Sequence, residues 1–193
     1  MPLNAGISVD ALPKAAAAGL HHGKGKVRVV TLEAGSRLFR GGSTHRRDGT
    51  PFVKGDTAEW AFSSWWFTEE VYKRIVEVYQ KSGGGYLNSL GMTLRHAGAV
   101  KQSWSRLDVR IKAEVLQDIN AFEGIGSTQF ERFDNGVTVV WDGWKADAKQ
   151  LYIPNFDRKR SNVSVLYFDD APALRILTKK TISSEQPFGK GGV

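Results

Sequence analysis

One strongly amphipathic segment divides this chain unevenly. Val71, Tyr72, Ile75, Val78 and Tyr79 recur at helical spacing, behind Thr68 as an N-cap and with Glu69 and Glu70 in the first turn. Upstream there is room for only a few short strands, and downstream at least six strand-like segments follow. Strands, one or two helices, then many strands is an α+β order. The sheet it predicts is mainly antiparallel, with the helices inserted after the first strands. An alternating βαβ order is excluded, and no GxGxxG or P-loop sequence supports the usual nucleotide folds.

The strands can be placed from alternation and turn residues. Val27 to Leu32 and Arg37 to Arg40 read as two short strands with the turn Glu33-Ala34-Gly35-Ser36 between them. Gly41 to Asp56 reads as a polar loop, and Trp60 to Trp66 as an aromatic strand. The first helix is expected over Glu69 to Gln80, ending at Ser82-Gly83-Gly84-Gly85. A second is expected within Leu87 to Trp104. Val109 to Val115 alternates apolar with charged residues, as a half-buried strand does. Further strands are expected at Ile119 to Phe122, Gln129 to Phe133, Val137 to Trp141, Gln150 to Ile153, Val163 to Phe168 and Leu174 to Leu177. Asp134-Asn135-Gly136 marks a hairpin. The Ala- and Gly-rich residues 1–25 read as a flexible leader, residues 26–188 as one domain, and 189–193 as a frayed tail.

Composition bounds the chemistry. The 193 residues are 41% hydrophobic and 11% aromatic, enough for a core. There is no cysteine, which excludes disulfides, thiolate catalysis and Cys-based zinc sites. The four histidines, His21, His22, His45 and His96, show no metal-ligand spacing, and Asp169-Asp170 reads as a solvated turn, so no metal is expected. No apolar run approaches the ~20 residues of a membrane helix, and the N-terminus lacks the basic and apolar regions of a secretory signal. The net charge of +7 suits attraction to phosphates or an acidic partner.

Two short motifs carry the functional reading. In Phe39-Arg40-Gly41-Gly42 the arginine ends a strand, and its planar fork suits a diphosphate, while the glycines admit a ligand to the backbone. In Phe62-Ser63-Ser64-Trp65-Trp66-Phe67 the serines can bond a ribose or amide, and the aromatics can wall an apolar pocket or simply pack. Alternation sends neighbouring tryptophans to opposite faces.

Together these motifs resemble the ADP-ribosyltransferase superfamily. Arg40-Gly41 resembles the end of its first core strand. Ser63-Ser64 before the helix resembles its second element, and Lys149-Gln150-Leu151-Tyr152-Ile153-Pro154 resembles the third, with Gln150 where the family carries a glutamate. Gln129-Phe130-Glu131 is an alternative third element, in which Glu131 is the catalytic carboxylate. The resemblance implies an NAD-consuming toxin or effector domain with NAD as substrate. ADP-ribose would pass to a protein, nucleic acid or water. Arg40, Gly41, Ser63, Ser64, Trp65 and Trp66 would bind NAD. An inhibitor or immunity protein is an implied partner, and the cytoplasm of the producing or target cell an implied location, reached without a classical signal peptide. The competing reading is a basic module that stacks bases on tryptophans and holds phosphates with Lys and Arg.

Overall fold

The computed structural model describes residues 1–21, 26–45, 50–52, 63–81, 89–142, 148–157, 159–162 and 164–182. Sequence expectations for Trp60 to Phe62, for the glycine run at 83–85, for the first residues of the second helix and for the tail at 189–193 fall outside them.

The fold is α+β. Eight strands form one antiparallel sheet: β1 (Arg28–Leu32), β2 (Arg37–Gly42), β3 (Trp65–Thr68), β4 (Val109–Val115), β5 (Ile119–Ile125), β8 (Lys149–Tyr152), β9 (Val165–Phe168) and β10 (Ala171–Thr181). Their spatial order is β1-β5-β8-β3-β2-β4-β10-β9. A separate two-stranded ribbon joins β6 (Gln129–Arg132) to β7 (Thr138–Trp141) across the Asp134-Asn135-Gly136 turn, with Gly136 at φ 79°. The alternation in Val109 to Val115 holds at every residue: the apolar side chains are buried and Arg110, Lys112 and Glu114 face out.

The sheet turns on β3. Trp65 and Trp66 pair with Tyr152 and Leu151 of β8, whereas Phe67 and Thr68 pair with Phe39 and Leu38 of β2. Four residues thus divide their bonding between two half-sheets. The largest apolar cluster draws residues from all eight strands, including Leu32, Leu38, Trp66, Ile111, Leu151 and Leu174, so the sheet must curl around a common interior.

The outer face carries helices. Thr68 Oγ1 accepts from Val71 N–H at the start of α2 (Glu69–Lys81). This helix and α3 (Leu90–Gly98) bury Tyr72, Ile75, Leu94 and Ala97 against Phe39 and Phe67. Ser89 caps α3 by accepting from Met92 N–H, and Ala99 ends it in the left-handed region at φ 47°. The second helix is therefore shorter than Leu87 to Trp104, because the chain turns at Gly98-Ala99 and its carbonyls find other partners.

The N-terminus corrects a sequence expectation. Residues 1–21 are part of the body. Leu3 exchanges hydrogen bonds with Asp118 and Asn120, and α1 (Lys14–Gly19) buries Ala16 and Leu20 against Val27, Phe122 and Tyr152. Ala-rich composition conceals this, since Leu3, Ile7, Leu12 and Leu20 are scattered without a clear period. Leu20→Ala is expected to lower stability by about 2–5 kcal/mol, the cost of emptying a closed apolar site. A urea midpoint unchanged from the parent chain would show the segment to be undocked in solution.

Candidate functional site

Arg40 lies where β2 leaves β3. The ladder between them pairs only Leu38 with Thr68 and Phe39 with Phe67, so the next step brings Arg40 level with Trp66 without a strand bond. Arg40 Cζ sits 5.6 Å from the Trp66 ring centre, and its Nε donates to the Gly41 carbonyl at 3.1 Å. The residue keeps part of its surface, yet its charged end is enclosed, and burial pushes the guanidinium down to about 9. It still carries its charge at neutral pH. A cation partly stripped of water attracts an entering anion more strongly than an exposed one.

The second motif leads into β3 beside Arg40. Ser63 Oγ accepts from Trp65 N–H at 3.1 Å, and the Ser63 carbonyl accepts from Trp66 Nε1 at 2.8 Å. The Ser64 carbonyl accepts from Ile153 N–H at 2.7 Å, tying the entry of β3 to the exit of β8. Arg40, Ser63 and Trp66 are thus brought together. Phe62 lies outside the described residues.

The tryptophans do not form an open stacking platform. Trp66 is fully buried in the interior cluster. Trp65 points to the other face, edge-on to Tyr152 at 4.9 Å and beneath α1, so close that a Cβ on Gly19 would come within 2.4 Å of its ring. Strand alternation separates them, as the sequence implied, but both are engaged in packing. Base stacking on Trp65 and Trp66 is therefore not how this chain would hold nucleic acid. Among the described tryptophans Trp104 is the exposed one at 44%, with Lys101 Nζ 5.2 Å from its ring centre.

Gly41 also has a different reason for being glycine. A Cβ there would lie 2.6 Å from Leu107 Cδ2, so the small residue serves internal packing rather than ligand approach. Gly41 and Gly42 continue β2 instead of opening a loop. Beyond them, His45 bridges Pro51, and Thr44 Oγ1 lies 2.7 Å from His45 Nδ1. Arg46 and Arg47 lie outside the described residues.

Gln150 and Glu131 occupy different places. Gln150 is on β8, separated from β2 only by β3, so the two outer strands run about 10 Å apart. Its Nε2 donates to the Gly98 carbonyl at 3.0 Å, and a Cβ on Gly126 would fall 2.4 Å from that nitrogen. Register places Gln150 level with Phe67, on the helix-covered face, whereas Arg40 shares the interior face with Trp66 and Leu151. The two side chains therefore leave the sheet in opposite directions.

Glu131 is on the separate ribbon. Its carboxylate accepts from Gln102 N–H, Ser103 N–H and Trp141 Nε1, each at 2.7 Å. Burial raises its pKa, but hydrogen bonds from Ser103, Gln102 and Trp141 outweigh burial and hold it below the ordinary 4.5. A carboxylate engaged by donors from Gln102, Ser103 and Trp141 is a poor base and a good anchor; it fastens the loop after α3 to the ribbon. His96 packs edge-on to Trp141 at 5.4 Å, and burial, then the Arg95 charge, lowers its pKa, so it is neutral at pH 7. Arg95 lies on the same helix. It is buried, donating to the carbonyls of Val100, Ser105 and Arg106, and a basic residue on a short helix gave no signal of that. Among the described residues, no three His, Asp or Glu side chains gather as metal ligands, and no helix is long and apolar enough to cross a membrane.

No protein-family model and no curated protein matches the sequence. Among solved structures, Rhs1-CT in complex with cognate immunity protein RhsI1 resembles this chain, with a TM-score of 0.41 and 11% sequence identity over 81% of this chain and 82% of that one. At that level the likeness is one of outline, and it assigns no residue a role.

Glu131→Gln is expected to cost about 1–3 kcal/mol, because the donors on Gln102, Ser103 and Trp141 lose a charged acceptor. The lowered folded pKa means the stabilisation is present above pH 4.5 and is lost as pH falls through the folded value. Parent and variant should draw together in thermal midpoint as pH falls through that folded value. A gap that stays constant from pH 7 to pH 3 would show that the charge contributes nothing.

Proposed function

We propose that this chain is an NAD-consuming domain of the ADP-ribosyltransferase type, acting as a toxin or effector. One observation carries the reading. The three strands that hold the three motif elements come from distant parts of the sequence, yet they lie side by side as β8-β3-β2, with β3 bonded to both neighbours. Glu131 belongs to the separate ribbon, so Gln150 is the better counterpart of the third element.

In this reading Arg40 grips the NAD diphosphate through its fork, in a setting that strengthens charge pairing. The Ser63-Ser64 entry to β3 shapes the pocket for the nicotinamide ribose. The bond between ribose C1′ and the nicotinamide nitrogen breaks, and its electron pair neutralises the departing ring. A nucleophile of the acceptor, or water, bonds to C1′ and gives up its proton to solvent. Gln150 cannot ionise, so it is a positioning residue, holding the end of α3 against β8 through Gly98. Catalysis then rests on orientation and electrostatics rather than on a general base. A cognate inhibitor, as the family resemblance implies, is part of the same proposal.

The test is nicotinamide release from NAD, with cell lysate present to supply acceptors. Arg40→Ala is expected to lower release by roughly 10²-fold or more, and Arg40→Lys to recover only part of it, since a point charge replaces a fork. Absence of both release and NAD binding in the parent chain would overturn the reading.

A further inference from the structure

The outer face of β4 and β10 is unevenly neutralised. At one end Glu114 sits opposite both Arg37 and Arg175 and lies 3.4 and 3.8 Å from them. At the other end Lys180 stands directly opposite Arg110, and Lys112 follows two residues along the same face with Thr178 across from it. Among the described residues, no carboxylate lies within ion-pair distance of Arg110, Lys112 or Lys180. Like charges facing each other across a ladder are destabilising. The fold nevertheless places them there.

Two of these cations are held in position. Phe39 and Tyr72 stack with ring centres 4.3 Å apart and planes 6° from parallel. Lys112 Nζ lies 5.4 Å from the Phe39 centre, and Arg110 Cζ lies 5.9 Å from the Tyr72 centre. Tyr72 Oη and Arg110 Nε are buried, and neither has a hydrogen-bond partner in the structure. Two partnerless donors on residues in cation–ring contact, beside an unneutralised cation row, are the complement of an oxygen-rich anion.

We propose that this strip binds the phosphodiester backbone of a single-stranded nucleic acid. Arg, Lys, Thr and Tyr donors are the groups that contact phosphates without reading bases. The strip offers no exposed apolar anchor, because both rings are buried, whereas a protein partner would need such an anchor at the centre of its interface. The site is distinct from the Arg40 cleft: Arg110 pairs with Gly41 in the β2–β4 ladder, but Arg40 shares the other face with Trp66. The inference does not rest on the NAD reading.

The experiment is fluorescence anisotropy with a labelled oligo-dT 20-mer and an oligo-U of equal length, titrated with the full chain. Binding of both is expected, with Kd near or below ~100 µM at 50 mM salt and a slope of about −2 in log affinity against log salt, as three phosphate contacts require. Affinity should then fall roughly twentyfold between 50 and 200 mM salt. Lys112→Glu with Lys180→Glu should weaken binding about tenfold or more, while Lys14→Glu with Lys26→Glu, an equal charge change elsewhere, should weaken it far less. Tyr72→Phe keeps the ring stack and removes only the hydroxyl; it should weaken binding about two- to fivefold without lowering the thermal midpoint. Binding that is undetectable, that ignores salt, that survives the double reversal in a folded variant, or that polyglutamate matches would overturn the proposal.

Discussion

Everything in this fold depends on four residues bonding in two directions. Through Trp65 and Trp66, β3 closes the half-sheet of β1, β5 and β8, and through Phe67 and Thr68 it closes the half-sheet of β2, β4, β10 and β9. Trp66 is the natural residue at the junction. Its bulk fills the interior next to Leu38 and Leu151, one from each half, while its only polar atom is satisfied by the Ser63 carbonyl. Because the halves diverge beyond Phe39, an arginine there can enter the curled interior without breaking a ladder. The same divergence that creates a candidate cleft is therefore a consequence of how the sheet is closed.

The two faces of the sheet have been given different work. The interior face is apolar and carries Arg40 at its margin. The outer face is divided among α1, which covers β5 and β8, the pair α2–α3, which covers β2 and β3, and the cationic strip on β4 and β10. Glu131 and Gln150, alternatives for one role in the sequence, both address the segment after α3. One holds the N–H groups of Gln102 and Ser103, and the other holds the carbonyl of Gly98. Their common effect is to fix the Gly98–Ser103 turn between the sheet and the ribbon.

Much of this was legible in the chain. The alternation in Val109 to Val115 gave β4 to the residue, and Asp134-Asn135-Gly136 gave the β6–β7 hairpin. The Thr68 cap and the following apolar stripe gave α2. Other elements were hidden for physical reasons. Most of β10 beyond Leu177 is polar, and it stays in the sheet through backbone pairing with β4, which leaves no periodic trace. The position of β3 between β2 and β8 is a long-range fact that local pattern cannot hold. The outward row Arg110, Lys112, Glu114 could be read from alternation, but that Glu114 serves two arginines while Lys180 faces Arg110 emerges only from register. At Gly41 the Leu107 side chain, which a Cβ would meet at 2.6 Å, is likewise a contact that local pattern cannot show.

The claim that matters most is that NAD enters at the divergence of β2 and β3. Side-chain resonances of the folded chain give the most direct test. Trp66 Nε1–H and Arg40 Nε–H report on the cleft, and Trp141 Nε1–H, donated to Glu131, reports on the distant ribbon. Titration with NAD should shift the first two in a saturable way and leave the third in place. Shifts confined to Trp141, or no shift at millimolar NAD, would contradict the account.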